Sequence, residues 1–289
     1  MTRVVVTGGS GKLGRAVVAE LAAHGYDVVN VDRMPPPANA PGQFVRIDLT
    51  DYGQVIEALT AIDDRYSAVD AVVHLAAIPA PGLTSNAATF ASNVTSSYNV
   101  FAAARAAGIT RVVWASSETV LGLPFLETPP PYFPVDENYP VSPNSTYSLG
   151  KAVDEEVARH FSRWNPDATY IGLRFSNVME PADYAAFPGF DGDPIERSWN
   201  AWGYIDARDG AQAVRLALEA ELVGLETFVI AASDTVMSTP SAELAAGVFP
   251  GVPVNGVIDG VDTLLGIDKA RRVLGFEPKY SWRDAASGE

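Results

Sequence analysis

The chain contains no cysteine, so disulfides, thiolate nucleophiles and cysteine-held metals are excluded. Its histidines are His24, His74 and His160, too scattered for metal-ligand spacing, and no metal is expected. Lysine is scarce too: only Lys12, Lys151, Lys269 and Lys279 occur, so a lysine inside a motif draws notice. Positive charge is in deficit overall. Against 20 Lys+Arg stand 35 Asp+Glu, a formal net charge of −15. A field of that sign repels nucleic acid and anionic membranes, which leaves a small molecule as the expected partner. No stretch is apolar for the length that a spanning helix needs. The N-terminus runs straight into Val4-Val5-Val6, without the charged start, long apolar stretch and cleavage site of a signal peptide. A soluble, cytoplasmic protein is therefore expected.

What is present suffices for one large core, or a core with a smaller lobe: 289 residues, 47% of them hydrophobic. Apolar, β-branched runs over 3–7, 27–31, 44–47, 71–75, 111–115 and 169–173 read as strands. Segments over 11–24, 52–62, 87–107 and 146–164 carry helical spacing or composition. The strands do not alternate in polarity, so both faces should be buried, which implies a parallel sheet covered by helices on each side. Residues 176–203 are rich in glycine, proline and aromatics and have no clear period. Helix returns over 208–220, strand over 227–231, and a short helix over 268–274. The expected fold is a doubly wound α/β domain of the Rossmann type (1–175 plus 204–231). A small, discontinuous C-terminal substrate lobe (176–203 plus 232–289) completes it.

Thr7-Gly8-Gly9-Ser10-Gly11-Lys12-Leu13-Gly14 sits at the first strand–helix junction. Gly8 permits a sharp turn, Gly11 lets the backbone approach a pyrophosphate, and Gly14 lets the helix pack on the sheet. The helix N-terminus offers free N–H groups to the phosphates. Asp32 ends the second strand, where a carboxylate accepts hydrogen bonds from both ribose hydroxyls and repels a 2′-phosphate, favouring NAD over NADP. Arg33 and Lys12 could offset that repulsion. Asp48-Leu49, after the third strand, either meets the adenine or merely begins the next helix.

Tyr147 and Lys151 stand four apart at a helix start and so share a face. A phenol holds its proton at neutral pH, and a cation one turn away favours the phenolate. Such a tyrosine can exchange a proton with a substrate hydroxyl. Alone, such a pair is usually a surface pair.

Together these residues resemble the extended short-chain dehydrogenase/reductase family, the NAD-dependent epimerase/dehydratase group. The likeness runs through the glycine turn, Asp32, Asp48-Leu49, His74-Leu75-Ala76-Ala77 and Asn93. It continues through Ser116-Ser117 before Gly122, Tyr147-Ser148-Leu149-Gly150-Lys151, Leu173 to Val178, and Lys269 to Pro278. The resemblance implies NAD as cofactor. It implies Ser117 as the hydrogen-bond partner of the reacting oxygen, Tyr147 as acid/base, and Lys151 on the nicotinamide ribose. Leu75, Ala76 and Ala77 would line the cofactor channel. Asn93 would stand near the site, or be a helix-interior polar residue facing a strand. Ser117, Glu118, Asn177 and Arg174 are the candidate substrate contacts. A homodimer through the two long helices is also implied, although their alanines suit an intramolecular interior as well.

Three functions fit this pattern: net redox on a sugar-like or hydroxy-carbonyl substrate, epimerisation of a nucleotide sugar, or cofactor binding without catalysis. Dehydratases of the family resemble Thr-Asp-Glu where this chain has Ser117-Glu118-Thr119, so the second carboxylate is missing. Leu121 replaces a common tyrosine. The compact 176–203 segment is loosely similar to the uronate dehydrogenase branch, yet Ala185 stands where that branch has arginine. The segment holds one arginine, Arg197, and the aromatics Tyr184, Phe187, Phe190, Trp199 and Trp202. Those rings suit either sugar stacking or the lobe's own core. Arg174 and Arg208 are the remaining arginines that could meet a phosphate.

Overall fold

A computed structural model of the chain describes residues 2–60, 66, 68–125 and 128–287. Strand β1 (Arg3–Thr7) leads into α1 (Lys12–Ala23), followed by β2 (Asp27–Asp32), β3 (Gln43–Arg46), α2 (Tyr52–Thr60) and β4 (Ala71–His74). Next come α3 (Asn86–Ala106), β5 (Arg111–Ser117), α4 (Thr146–Trp164) and β6 (Thr169–Phe175). The two-residue strand β7 (Val178–Met179), a 3-10 turn and the short α5 (Phe187–Phe190) lead to β8 (Ile205–Asp206) and α6 (Ala207–Glu219). The chain finishes with β9 (Gly224–Ile230), α7 (Ser241–Val248), α8 (Asp268–Leu274) and α9 (Trp282–Ser287). The expected helix over 52–62 is seen as far as Thr60, and residues 61 and 62 lie outside the described residues. None of the helices among the described residues is long and apolar enough to cross a membrane.

Seven strands form one wholly parallel sheet in the order β3-β2-β1-β4-β5-β6-β9. Val5 pairs with Val29 on one side and Val72 on the other, and all three are fully buried. Two covered faces explain why these strands are runs of valine rather than alternating patterns. On one face Val17, Val18 and Leu21 of α1 pack with Ala213 and Val214 of α6 and with Ala270 and Leu274 of α8. On the other, Val55 of α2, Phe101 of α3 and Phe161 of α4 pack around Trp114 and Tyr170. Strand order reverses between β1 and β4, which opens a crevice at the carboxyl ends of those strands.

A second core lies beyond those ends. It gathers Leu121, Phe133 and Val135 from the segment after β5, Tyr184, Phe187, Trp202 and Tyr204 from the 176–204 region, and Met237, Leu265 and Trp282 from the C-terminal part. This settles most of the aromatic residues of the compact segment: Tyr184, Phe187 and Trp202 are buried in that core, and Phe190 packs against it.

Candidate active site

The glycine turn is held by its own backbone. Gly8 adopts φ 73°, and the Gly11 N–H donates to the Gly8 carbonyl at 3.0 Å. A Cβ on Gly14 would fall 2.0 Å from that carbonyl, and one on Gly8 would fall 2.6 Å from the Ala76 nitrogen. The turn is therefore packed against both the start of α1 and the loop after β4, with no room for a side chain at either point. It opens into a cavity of about 1130 Å³, lined among others by Gly8, Gly11, Lys12, Leu13 and Gly14. That volume exceeds the usual small-ligand pocket of roughly 300–1,000 Å³. It suits a dinucleotide with a second small molecule at its end.

Beside the glycine turn the lining includes Asp32, Arg33 and Leu49. The Asp32 carboxylate is fixed by two backbone donors, Ser10 N–H at 3.1 Å and Met34 N–H at 3.0 Å. Arg33 pairs with Asp48. That guanidinium and the Thr50 hydroxyl and N–H hold the Asp48 carboxyl down at about 2. Asp48 itself is not among the residues lining the cavity, whereas its neighbour Leu49 is. Lys12 is drawn away from the turn to Asp183, and Arg15 to Glu180.

In the middle, Leu75, Ala76, Ala77 and Asn93 line the cavity. Asn93 clamps the loop after β4 from α3: its Oδ1 accepts from Ile78 N–H at 2.8 Å and its Nδ2 donates to the Ile78 carbonyl at 3.0 Å. Beneath that loop His74 is 1% exposed, bonded to the Thr7 hydroxyl at 2.7 Å and the Ser97 hydroxyl at 3.1 Å. Burial, with the Lys151 cation nearby, pushes its imidazole down to about 3, so it is neutral and structural.

Ser117 ends β5, while Tyr147 and Lys151 come from the first turns of α4, and all three line the cavity. The helix start is fixed by a capping box between Ser145 and Ser148, which sets the direction in which Tyr147 emerges. Tyr147 is 9% exposed and Lys151 3%. The Lys151 ammonium donates to the Ala115 carbonyl at 2.7 Å and stands 3.7 Å from Asp154. Ser117 Oγ accepts from the Thr119 N–H and hydroxyl at 3.2 and 3.0 Å.

Glu118 and Asn177 line the cavity too, joined by residues that sequence reasoning passed over: Ser145, Ser176 and Glu196. Trp199 is the one compact-segment aromatic among the lining residues. Glu118 is 2% exposed and takes the Asn200 amide at 3.1 Å. Burial pushes its carboxyl up to about 7, while Ser176, Asn200, Arg197 and the Asn177 N–H favour the charged form. Arg174, expected at the substrate, is not there. It is 4% exposed behind the cavity wall, donating to Glu155 at 2.9 and 2.8 Å, while Ser116 donates to the same carboxylate at 2.6 Å. Arg208 is bonded to Asp206 through two side-chain nitrogens and lies over the Tyr280 ring. Among the described residues no cluster of His, Cys, Asp and Glu is arranged to hold a metal.

Residues 4–231 match the model of the NAD dependent epimerase/dehydratase family, and the chain belongs to that family. It is 32% identical over 183 residues to a putative UDP-glucose 4-epimerase of Methanocaldococcus jannaschii, covering 61% of this chain and 55% of that protein. It is 23% identical over 292 residues to an NAD-dependent glucose-6-phosphate dehydrogenase of Haloferax volcanii, covering 96% of this chain and 92% of that one. A short-chain dehydrogenase/reductase superfamily protein from Agrobacterium tumefaciens, solved with bound NAD, superposes with TM-score 0.74 at 27% identity, covering 99% and 95% of the two chains. The chain spans about half the length of the first curated relatives it matches.

Proposed function

We propose that this protein is an NAD-dependent oxidoreductase that transfers hydride to or from a small sugar-like or hydroxy-carbonyl substrate. The observation that carries the reading is convergence: Ser117, Tyr147 and Lys151, from two separate elements, face the cavity that the glycine turn opens. Tyr147 exchanges a proton with the substrate hydroxyl. Ser117 hydrogen-bonds the reacting oxygen, and Lys151 holds the nicotinamide ribose and stabilises the phenolate. NAD, when bound, supplies the hydride acceptor. The glycine turn and the α1 N-terminus would hold its pyrophosphate, Asp32 its adenosine ribose, and Leu75 to Ala77 its inner face. The residues fit that cofactor: the turn has no space for a Cβ at Gly8 or Gly14, and Asp32 is locked at the end of β2.

A substrate without a nucleotide handle is supported by where the arginines go. Binding a diphosphate draws on charge-assisted contacts, often from arginine. Arg174 is buried against Glu155, Arg197 donates to the Gly203 carbonyl, and Arg208 is paired with Asp206. Residues 176–203 and 232–289, many of which belong to the second core, would form the substrate lobe. The competing reading is nucleotide-sugar epimerisation, favoured by the match to a putative UDP-glucose 4-epimerase. A screen of NADH formation against free sugars, sugar acids and UDP-sugars decides between them. Net NADH from a free sugar or sugar acid is expected. Interconversion of a UDP-sugar without net NADH would overturn the reading. The active form would be a homodimer through α3 and α4, which pack side by side and expose Tyr98, Leu149 and Trp164.

A further inference from the structure

We propose that the substrate end of the cavity selects an uncharged polyol over a sugar acid, a sugar phosphate or a nucleotide sugar, with Glu118 as the group that imposes the selection. The inference rests on the hydride-transfer reading above. Near Ser117 and Tyr147, the acidic side chains lining the cavity among the described residues are Glu118, which is buried, and Glu196, which is exposed. The sole cation there is Lys151, whose ammonium is occupied by the Ala115 carbonyl with Asp154 behind it.

Among the described residues, the other arginines and lysines near the cavity carry protein partners, although the Arg197 Nε has none. Arg197 is 7% exposed, donates to the Gly203 carbonyl and lies against the Phe190 and Trp199 rings. Its charge acts on Glu118 from outside the cavity lining and favours the carboxylate over the neutral acid. Arg174, Arg208, Lys12 and Arg15 are paired with Glu155, Asp206, Asp183 and Glu180. A substrate carboxylate or phosphate here would meet a buried acid with no arginine to receive it, in a region where charge repulsion is poorly screened.

A sugar hydroxyl meets the opposite situation. It donates to Glu118 while accepting from Asn177 or a serine hydroxyl, since hydroxyls do both and a carboxylate only accepts. Trp199, backed by Arg197, offers a ring face to the apolar side of a pyranose. Burial places the Glu118 carboxyl near 7, so at pH 8 the ionised form predominates. This departs from relatives named for UDP-glucose and glucose 6-phosphate, both anions.

The test measures dissociation constants by calorimetry at pH 8 with saturating NADH. Glucose, galactose and mannose are compared with their uronates, their 6-phosphates and UDP-glucose, on the native protein and on Glu118→Gln. At least one aldose is expected to bind the native protein tenfold or more tightly than its uronate and its 6-phosphate. In Glu118→Gln that ratio should fall by tenfold or more, with NADH affinity retained. Should the variant fail to fold, the native protein at pH 6 serves instead: protonation of Glu118 should narrow the aldose-to-uronate ratio. Three results overturn the proposal: an anionic sugar binding as tightly as every aldose, a ratio that neither Glu118→Gln nor pH moves, or binding by none of the ligands. Turnover of an anionic sugar that is lost in Tyr147→Phe would refute this selection and leave hydride transfer standing. Activity that survives Tyr147→Phe would refute the hydride-transfer reading whatever binds.

Discussion

Asp32 has both carboxylate oxygens held by backbone N–H groups of Ser10 and Met34, so its charge stays at the end of β2 beside the cavity. The two cations that could have neutralised a 2′-phosphate are each paired with a carboxylate, Arg33 with Asp48 and Lys12 with Asp183. Preference for NAD over NADP is the expected consequence. The native protein should bind NAD at least tenfold more tightly, a difference of about 1.4 kcal/mol or more. In Asp32→Ala the gap should shrink by a similar factor. Tighter NADP binding by the native protein would contradict this. Asp32, the glycine turn and the Tyr147–Lys151 pair could be singled out in the sequence because the turn sits at a strand–helix junction, Asp32 ends the next strand, and the pair has helical spacing within a family-like motif. Arg174 was not: what removes it from the cavity is a buried partner, Glu155, on another element. Glu118 was named in the sequence as a candidate substrate contact, but its burial was not legible there, since it comes from packing with distant segments such as that of Asn200.

At the scale of elements, Glu155 ties α4 to two strands at once, taking Ser116 of β5 and Arg174 of β6. This joint lies directly behind Ser117 and fixes α4 against the sheet. Arg174→Leu would leave a buried carboxylate uncompensated, which typically costs about 3–5 kcal/mol. The Arg174→Leu, Glu155→Leu pair should recover much of that loss in chemical denaturation. A single Arg174→Leu variant of native stability with a raised KM would instead mean that Arg174 contacts substrate. The strands of the main sheet were readable because unbroken valine runs mark burial on both faces. Elements β7, β8 and α5 were not, because two to four residues are too short to carry a period. Composition alone also left open whether the aromatics of 176–203 stack on a ligand or fill a core. Packing with residues far away in sequence, such as Phe133, Met237 and Trp282, places all five against the second core, and Trp199 alone of them also lines the cavity.

At the scale of the whole molecule, α3 and α4 lie side by side, with Tyr98 edge-on to Phe161 and Phe161 against Trp164. Tyr98 and Trp164 remain about half exposed, at 52% and 48%, on a protein whose surface is otherwise strongly acidic. These exposed rings are what the proposed dimer would cover. Sedimentation velocity should give a dimer, and Tyr98→Glu with Trp164→Glu should give a monomer. A native protein that stays monomeric at tens of micromolar would contradict the assignment. The two cores, the crevice at the strand-order reversal and the capped start of α4 all serve to bring one phenol to the end of one cavity. The most direct test is therefore Tyr147→Phe, with turnover of a substrate found in the NADH screen and the NAD dissociation constant measured on the same preparation. Turnover should fall by about 10²–10⁴-fold, the usual contribution of a positioned proton-transfer group, while NAD affinity stays within a few-fold. Full activity without the Tyr147 hydroxyl would contradict the assignment of this cavity as a hydride-transfer site.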